Sequence, residues 1–430
     1  MQEYLALAVF AGMYALIIGR RRFGIPIWTT MLAGAGAMVV FQVISVESAF
    51  RAINLDVIAF LFGMFSIVSA LDKAGVLRHI ALKMLSVAGT PSKLLMVFVV
   101  GMGIMAAFLV NDTVALLGVP LVTYVAARSG IRPAVLLLAL AFGITVGSVM
   151  TPIGNPQNLL IAIQSGISVP FITFLARLAI PTIINLFVTF LILKLVYRRD
   201  LAGALAVQSV PATVAEVVDG KYSDPRLARI SVVILLATLG GFIVSELLLF
   251  RGIAQFSLSA VAMIGAAVLY ALSGRRVEIL RGVNYSVLVF FIAMFVVMSA
   301  MWSSGAISLI FENLIPNPDP ENPMQSAAVI SAASLSISQI LSNVPFVTLY
   351  NFVMADNGFT GAHVEQWMML AAASTIAGNL TILGAASNII VMEEAESRRV
   401  AGFTYFEFFK VGSLVTGANL AVYYVFIVLL

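Results

Sequence analysis

The sequence predicts an all-α polytopic membrane protein that is built from two inverted-topology repeats. Three observations carry this prediction: an apolar composition, a series of long apolar runs and an internal repeat. Of the 430 residues, 61% are hydrophobic and only 10% are charged. A soluble domain needs about 25% charged residues to cover its surface, so most of this surface must face lipid.

The composition also excludes several classes of function. The chain has no cysteine, which rules out disulfides, thiolate metal sites and cysteine nucleophiles. Its two histidines, His79 and His363, are too few for a histidine metal cluster. The net charge of +4 does not indicate nucleic-acid binding, because the basic residues lie at the ends of apolar runs. We therefore predict no cofactor, no metal site, no nucleic-acid partner and extensive contact with membrane lipid.

Apolar runs predict the membrane crossings, each of which needs about 20 residues. Eight runs are continuous, and four further stretches are interrupted by polar residues. The N-terminus has no basic segment before its first run, so we expect that helix to be retained. The continuous runs are 4–19, 25–46, 57–71, 169–196, 230–250, 256–272, 287–301 and 406–430, and the interrupted stretches are 94–127, 133–163, 324–355 and 364–392.

The basic residues predict the orientation. With the N-terminus outside, 21 of the 24 lysines and arginines fall on the cytoplasmic side, and only Arg51, Arg177 and Arg251 lie outside. This asymmetry is typical of a multi-pass protein of the cell (inner) membrane. The segment 198–229 contains Pro211 and no long apolar run, so it is predicted to be a cytoplasmic linker.

A shift of 230 residues aligns the two halves of the chain. Between 51–80 and 281–310, ten of thirty positions are identical. The same shift aligns 151–158 with 381–388, and both segments read T-x-x-G-x-x-x-N. In the predicted orientation the two repeats run in opposite directions through the membrane. Inverted repeats are typical of secondary transporters, whereas a plain symmetric bundle, the alternative, would avoid polar helix breaks.

Each repeat divides into scaffold helices, a re-entrant helical hairpin, a broken transmembrane helix and a closing helix. We predict that the hairpin arms are too short to cross the bilayer. In the first repeat, 1–197, these parts are 1–90, 94–127, 133–163 and 169–197. In the second repeat, 230–430, they are 230–315, 324–355, 364–392 and 406–430.

Both predicted hairpins have a polar tip. Asn111, Asp112 and Thr113 form the first tip, and Asp112 is the only charged residue between positions 94 and 127. Ser342 and Asn343 form the second tip, in a segment without charge. An ionisable residue at membrane depth is interpreted as functional. Capping of the following helix by Asp112 is the alternative.

Both predicted broken helices are interrupted by polar residues. Two prolines, Pro152 and Pro156, force the first break, while the second has no proline. A broken helix exposes backbone N–H and C=O groups that bind oxyanions, hydroxyls or cations. We expect the four polar breaks to meet at one central cavity. The residues of the two helix breaks are Thr151, Gly154, Asn155, Asn158, Thr381, Gly384, Ser387 and Asn388.

Other polar residues are interpreted as interfacial. Residues 73–88 alternate basic and apolar positions, which predicts an amphipathic helix at the cytoplasmic interface with His79 as an interfacial residue. Its counterpart, 303–315, is expected at the outer interface. Glu246 and the glutamates of 393–396 are expected to be solvated helix ends.

Four segments, VNDTVALLGVPLV, TPIGNPQNLLIA, SNVPFVTLY and GNLTILGAASNIIV, resemble the ion transporter superfamily, and within it the arsenite permease and related anion permeases. The resemblance covers essentially the whole chain. It implies an elevator-type transporter, a homodimer and a substrate or ion site drawn from both repeats. The sodium-coupled dicarboxylate branch differs, because it has Ser-Asn-Thr in both hairpins. The implied site residues are Asn111, Asp112, Thr113, Thr151, Gly154, Asn155, Asn158, Ser342, Asn343, Thr381, Gly384, Ser387 and Asn388.

The predicted function is secondary active export of arsenite or antimonite, coupled to protons. Arsenite is an uncharged trihydroxide at neutral pH, which suits polar side chains around one carboxylate. A sodium- or proton-coupled anion transporter, or a sodium/proton transporter, is the alternative. An intramembrane enzyme is disfavoured, because no paired motif such as H-E-x-x-H is present. The coupling ion, H⁺ or Na⁺, and association with a cytoplasmic ATPase partner are left open by the sequence.

Overall fold

A computed structural model describes residues 2–19, 23–86, 88–202, 223–253, 256–307 and 317–430. Within these ranges the chain is helical and has no β-strand. Eight of the described helices are long and apolar enough to cross a membrane, judged by length and composition. The prediction of an all-α, multi-pass membrane protein is therefore confirmed.

The first half of the chain begins with four helices that we call the first scaffold set. Seven further helices follow as far as the linker. The scaffold helices are α1 (Gln2–Ile18), α2 (Ile27–Val40), α3 (Val46–Ala52) and α4 (Leu55–Lys73). The others are α5 (Val76–Ser86), α6 (Pro91–Leu109), α7 (Asn111–Ser129), α8 (Pro133–Gly147), α9 (Pro156–Gln164), α10 (Pro170–Val196) and α11 (Arg198–Ala202).

The second half repeats this order of helices. Most of the predicted linker, residues 203–222, and most of the predicted outer amphipathic helix, residues 308–316, lie outside the described residues. The second scaffold set is α12 (Pro225–Phe250), α13 (Leu258–Leu272), α14 (Arg276–Arg281) and α15 (Tyr285–Ser303). The others are α16 (Pro323–Leu341), α17 (Asn343–Asp356), α18 (Val364–Ala377), α19 (Ala386–Ser397) and α20 (Tyr405–Tyr424).

Local backbone features also recur between the two halves. Asn54 and Asn284 cap α4 and α15, and each side chain accepts a hydrogen bond from the N–H group three residues later. Val110 and Ser342, which join α6 to α7 and α16 to α17, have φ angles of 65° and 67°. Residues with a β-carbon rarely adopt such angles, and valine does so at a particular cost. Both hairpin tips are thus strained at corresponding positions.

The helices pack into two groups. The scaffold group contains α1–α4 and α12–α15, in which α4 packs on α13 and α2 packs on α15. The hairpin group contains α6–α10 and α16–α20. In this second group α6 packs on α8 and α16 packs on α18, while α7 packs on α19 and α17 packs on α9 from the other half. The two groups meet where α17 contacts α15, where α10 contacts α12 and where α9 contacts α4.

Two predictions about helix length are wrong. The predicted crossing 25–46 forms a 14-residue helix, because the chain turns at Gln42, with a φ of 57°, before α3 begins. The first arms of the hairpins, α6 and α16, are each 19 residues long and apolar enough to cross. Both begin at a proline preceded by a side-chain cap, Thr90 or Asn322, so they start earlier than predicted.

The expectation that Glu246 is a solvated helix end is also wrong. Its side chain is buried, and the residue is only 4% exposed. The two carboxylate oxygens accept hydrogen bonds from the N–H groups of Phe171 and Ile172, at 2.7 and 2.8 Å. The sequence suggests a solvated end because Glu246 lies near the end of an apolar run, but its partners are backbone groups of α10.

Candidate functional site

An asparagine side chain holds the first helix break. Where α8 ends, its last carbonyl groups have no partners within the helix. The amide nitrogen of Asn158 donates to the carbonyl oxygens of Ser148, Val149 and Thr151, at 3.2, 3.0 and 3.2 Å. The Oδ1 atom of Asn155 accepts a hydrogen bond from the N–H of Asn158 at 2.8 Å and so caps α9. The asparagines therefore satisfy the broken backbone on both sides.

The first hairpin tip is bound to this break. The N–H of Asn111 donates to the carbonyl of Gly154 at 2.9 Å. The hydroxyl of Thr151 donates to the carbonyl of Ala107 in α6. A β-carbon at Gly154 would collide with the backbone of Ser148, so glycine is required where these two parts of the break approach each other.

The second tip and break are joined by similar contacts. The amide of Asn388 donates to the carbonyl of Gly378 at 2.7 Å, which corresponds by the 230-residue shift to the bond from Asn158 to Ser148. The hydroxyl of Thr381 donates to Gln339 Oε1 at 2.7 Å. The Ser342 hydroxyl lies 3.4 Å from the carbonyl of Gly384.

Thr375 in α18 connects the two repeats at the breaks. Its hydroxyl donates to Asn158 Oδ1 at 3.3 Å, and the amide nitrogen of Asn155 lies 3.3 Å from the same hydroxyl. Thr375 is fully buried. Sequence reasoning missed it because a single threonine in an apolar helix is an ordinary packing residue.

Several buried polar atoms in the second half have no hydrogen-bond partner in the described part of the chain. Buried polar groups normally bind protein, water, an ion or a ligand, so such a cluster indicates a site. Asn379 belongs to it although the sequence prediction did not include that residue. Those at the second tip and break are both side-chain polar atoms of Asn343, both of Asn379, the hydroxyl of Ser387 and Oδ1 of Asn388.

A cavity of about 770 Å³ lies between the scaffold group and α7. One end is formed by Asp112 and Thr113 at the first hairpin tip, and α4 and α7 provide the walls. The other end reaches Gly75, Arg78 and Gly282. These last residues lie on the side that the sequence predicts to be cytoplasmic.

In the part of the chain that the structure describes, three charged side chains line this cavity: Asp72, Arg78 and Asp112. Asp72 and Arg78 are exposed, whereas Asp112 is half-buried. In the described ranges no hydrogen bond or ion pair involves the Asp112 carboxylate. The N-cap position of α7 is Val110, and this helix end has no side-chain cap, so Asp112 does not act as the cap. Its carboxylate is left to interact with whatever occupies the cavity.

The cavity contacts two of the thirteen predicted site residues, Asp112 and Thr113. The other five predicted residues of the first repeat form hydrogen bonds with one another or with nearby backbone groups. They are Asn111, Thr151, Gly154, Asn155 and Asn158. Arg78 and Asp72 were not predicted, because a charged residue at a membrane interface has no distinguishing sequence pattern. The six predicted residues of the second tip and break do not line this cavity; they are Ser342, Asn343, Thr381, Gly384, Ser387 and Asn388.

Replacing Asn158 tests its structural role. We expect Asn158→Ala to lower the stability of the purified protein by about 2–5 kcal/mol, because three buried carbonyls lose their donor. Thermal unfolding in detergent measures this as a fall in Tm. Asn388→Ala is the matched control and removes one described bond, so its effect is expected to be smaller. An unchanged Tm for Asn158→Ala would contradict the role that we give this side chain.

The fold and the cavity together define the functional class of the protein. Several helices can cross a membrane, and a cavity extends from one end of them to a carboxylate at a strained hairpin tip. These features are those of a membrane transporter. The chain belongs to the citrate transporter (CitMHS) family, whose profile matches residues 14–362.

Several known proteins are similar to this chain. The silicon efflux transporter LSI3 of Oryza sativa subsp. japonica is 30% identical over 90% of this chain and 88% of its own length. An uncharacterized transporter of Mycobacterium tuberculosis is 28% identical over 97% of this chain and 96% of its own length. The solved structure of the YdaH transporter of Alcanivorax borkumensis aligns with 91% of this chain and 88% of its own at a TM-score of 0.49 and 12% identity.

Proposed function

We propose that the protein is a secondary active exporter of small uncharged hydroxides, namely arsenous and antimonous acid, coupled to inward movement of protons. The observation that carries this proposal is the cavity that ends at Asp112 and Thr113. A carboxylate and a hydroxyl at the end of a polar-tipped cavity accept hydrogen bonds from a hydroxide substrate. The same carboxylate is able to carry a proton.

The charges of the cavity favour a neutral substrate over a polyanion. Among the described lining residues, Asp72 and Asp112 oppose the one cation Arg78, which gives this part of the lining a net charge of −1. Citrate carries several carboxylates and needs cations or strong donors around it. An uncharged trihydroxide needs only hydrogen-bond partners. The relative named as a silicon efflux transporter supports this choice, because dissolved silicon at neutral pH is also an uncharged hydroxide.

We assign the second half of the binding site to the unpaired polar cluster. Asn343, Ser387 and Asn388 offer buried donors and acceptors that the described protein atoms do not use. In this proposal a substrate or coupling ion at the hairpin tips contacts Asp112 and Thr113 from one repeat and this cluster from the other. Thr151, Gly154, Asn155, Asn158, Ser342, Thr381 and Gly384 hold the backbone of the two breaks in place.

The transport cycle that we propose is an elevator-like movement of the hairpin group against the scaffold group. The recurring helix order and the matching caps support two inverted repeats, 1–197 and 230–430, joined by a cytoplasmic linker. The protein lies in the cell membrane with its N-terminus outside and acts as a homodimer. The cavity of this arrangement opens to the cytoplasm.

Substrate transport into everted membrane vesicles tests the proposal. We expect accumulation of arsenite and antimonite that needs an imposed proton gradient, and no accumulation of citrate, phosphate or sulfate. Vesicles without the protein provide the control.

The second candidate is a sodium- or proton-coupled anion transporter, which Arg78 in the cavity and the family description favour. Citrate accumulation without arsenite accumulation would contradict the first proposal and support the second.

A further inference from the structure

Glu246 forms a contact between the two helix groups that the proposed site does not use. It lies in α12 of the scaffold group. Its carboxylate oxygens accept hydrogen bonds from the N–H groups of Phe171 and Ile172 in the first turn of α10. Hydrogen bonds from N–H groups to a carboxylate are roughly twice as strong as those between neutral groups. The positive end of the dipole of a 27-residue helix adds to this attraction.

The α10 helix depends on this contact for its cap. Its own N-cap residue is Val169, which has no side chain able to accept a hydrogen bond. The corresponding helix of the second half, α20, is capped by the adjacent Thr404. The cap of α10 therefore comes from a helix of the other group, whereas the cap of α20 comes from its own chain segment.

Tyr14 forms a second contact between the scaffold group and the hairpin group. Its hydroxyl, in α1 of the scaffold group, donates to the carbonyl of Leu341 at 2.9 Å. Leu341 is the last residue of α16 and precedes Ser342, the strained residue at the second hairpin tip. Tyr14 is 6% exposed and packs against Phe10, with ring centroids 4.6 Å apart. The tyrosine is therefore held in place by the scaffold.

We propose that Glu246 and Tyr14 are positioning residues that hold the hairpin group in the arrangement with the cavity open toward Arg78. Movement of the hairpin group along the scaffold separates the Glu246 carboxylate from α10 and the Tyr14 hydroxyl from Leu341. Each separation exposes buried polar groups without partners, so the two contacts favour this arrangement over the alternative one. The inference rests on the proposed alternating movement but not on the identity of the substrate.

A single cysteine in the cavity measures the two arrangements directly. The chain has no cysteine of its own, and Leu116 lines the cavity and is 49% exposed. Leu116→Cys is reacted with a membrane-impermeant thiol reagent, from the cytoplasmic face in everted vesicles and from the outer face in right-side-out vesicles. The ratio of the two labelling rates reports the balance between the arrangements.

Removing either contact is expected to shift this ratio. In the Leu116→Cys background, Glu246→Gln and Tyr14→Phe should each lower the ratio of cytoplasmic to outer labelling by about 3- to 10-fold, the effect of losing one or two buried hydrogen bonds. Each variant should also transport substrate with an altered kcat and a nearly unchanged KM. Folding of each variant is checked by size-exclusion chromatography, and Tyr14→Phe alone carries the test if Glu246→Gln does not fold.

Two control variants lose contacts inside the hairpin group, one of them buried and one exposed. Tyr423→Phe removes a buried hydroxyl that lies 2.6 Å from Thr182, and Glu407→Gln weakens a contact with Arg132 at 2.6 Å. We expect both to leave the labelling ratio unchanged. An unchanged ratio in Glu246→Gln and Tyr14→Phe, or an equal shift in all four variants, would overturn the positioning role. Labelling from one face only in Leu116→Cys would overturn the alternating movement, and this inference with it.

Discussion

Asp112→Asn is expected to abolish accumulation of arsenite driven by a proton gradient while leaving the protein folded. The carboxylate has no described protein partner and forms the end of the cavity, so a proton or a substrate hydroxyl is its natural partner. An amide has nearly the same shape but cannot carry the proton. We expect accumulation in everted vesicles to fall to the level of vesicles without the protein, while exchange of labelled for unlabelled arsenite continues.

Asp72→Asn is the matched control for this prediction. Asp72 lines the same cavity but is exposed at the other end, where water solvates its charge. Its replacement should therefore leave gradient-driven accumulation nearly intact. Full accumulation by Asp112→Asn would remove this carboxylate from the coupling mechanism.

Gly147→Ala is expected to have the largest effect on folding. A β-carbon at Gly147, at the end of α8, would overlap the backbone of Gly103 in α6. Close packing of helix backbones through small residues is typical of membrane helices, and here it fixes the first hairpin against the first broken helix. Because the obstacle is backbone and cannot rotate away, we expect a loss of about 3 kcal/mol or more and a strongly reduced yield of folded protein.

Gly240→Ala provides the comparison for Gly147→Ala. Gly240 lies within α12, and a β-carbon there would meet no atom within 4 Å. Alanine favours helix over glycine by about 1 kcal/mol, so this variant should be as stable as the original protein or slightly more stable. Fluorescence-detected size-exclusion chromatography after heating compares the two variants. Equal stability of the two variants would show that the packing of α6 on α8 does not depend on the close approach of Gly147 to Gly103.

Much of the fold was predictable from the sequence, because lipid imposes simple rules on a membrane chain. Long apolar runs had to be helical, and polar residues inside them marked the hairpin tips and the helix breaks. The prolines at positions 152 and 156 and the motif shared with 381–388 located both breaks. Helix ends were less predictable, because side-chain caps such as Thr90 decide where a helix starts.

The candidate site was predictable only in part. Asp112 was recognisable as a lone charge in an apolar segment. The cavity wall was not, because Arg78 and Asp72 look like ordinary interfacial charges and come to line the same cavity as the hairpin tip only in the folded chain. Glu246 was misjudged for a related reason, since its partners are backbone groups 75 and 74 residues away that have no sequence signature. A contact from one side chain to the backbone of a helix distant in sequence leaves no pattern that the sequence alone reveals.

In the proposed mechanism the cavity carries a neutral hydroxide in exchange for a proton. Purified protein in liposomes that enclose a pH-sensitive dye tests it most directly. We predict that an arsenite gradient moves protons in the opposite direction, that a citrate gradient moves none, and that Asp112→Asn eliminates the arsenite-driven signal. Arsenite flux without proton movement, or proton movement driven by citrate, would contradict the account.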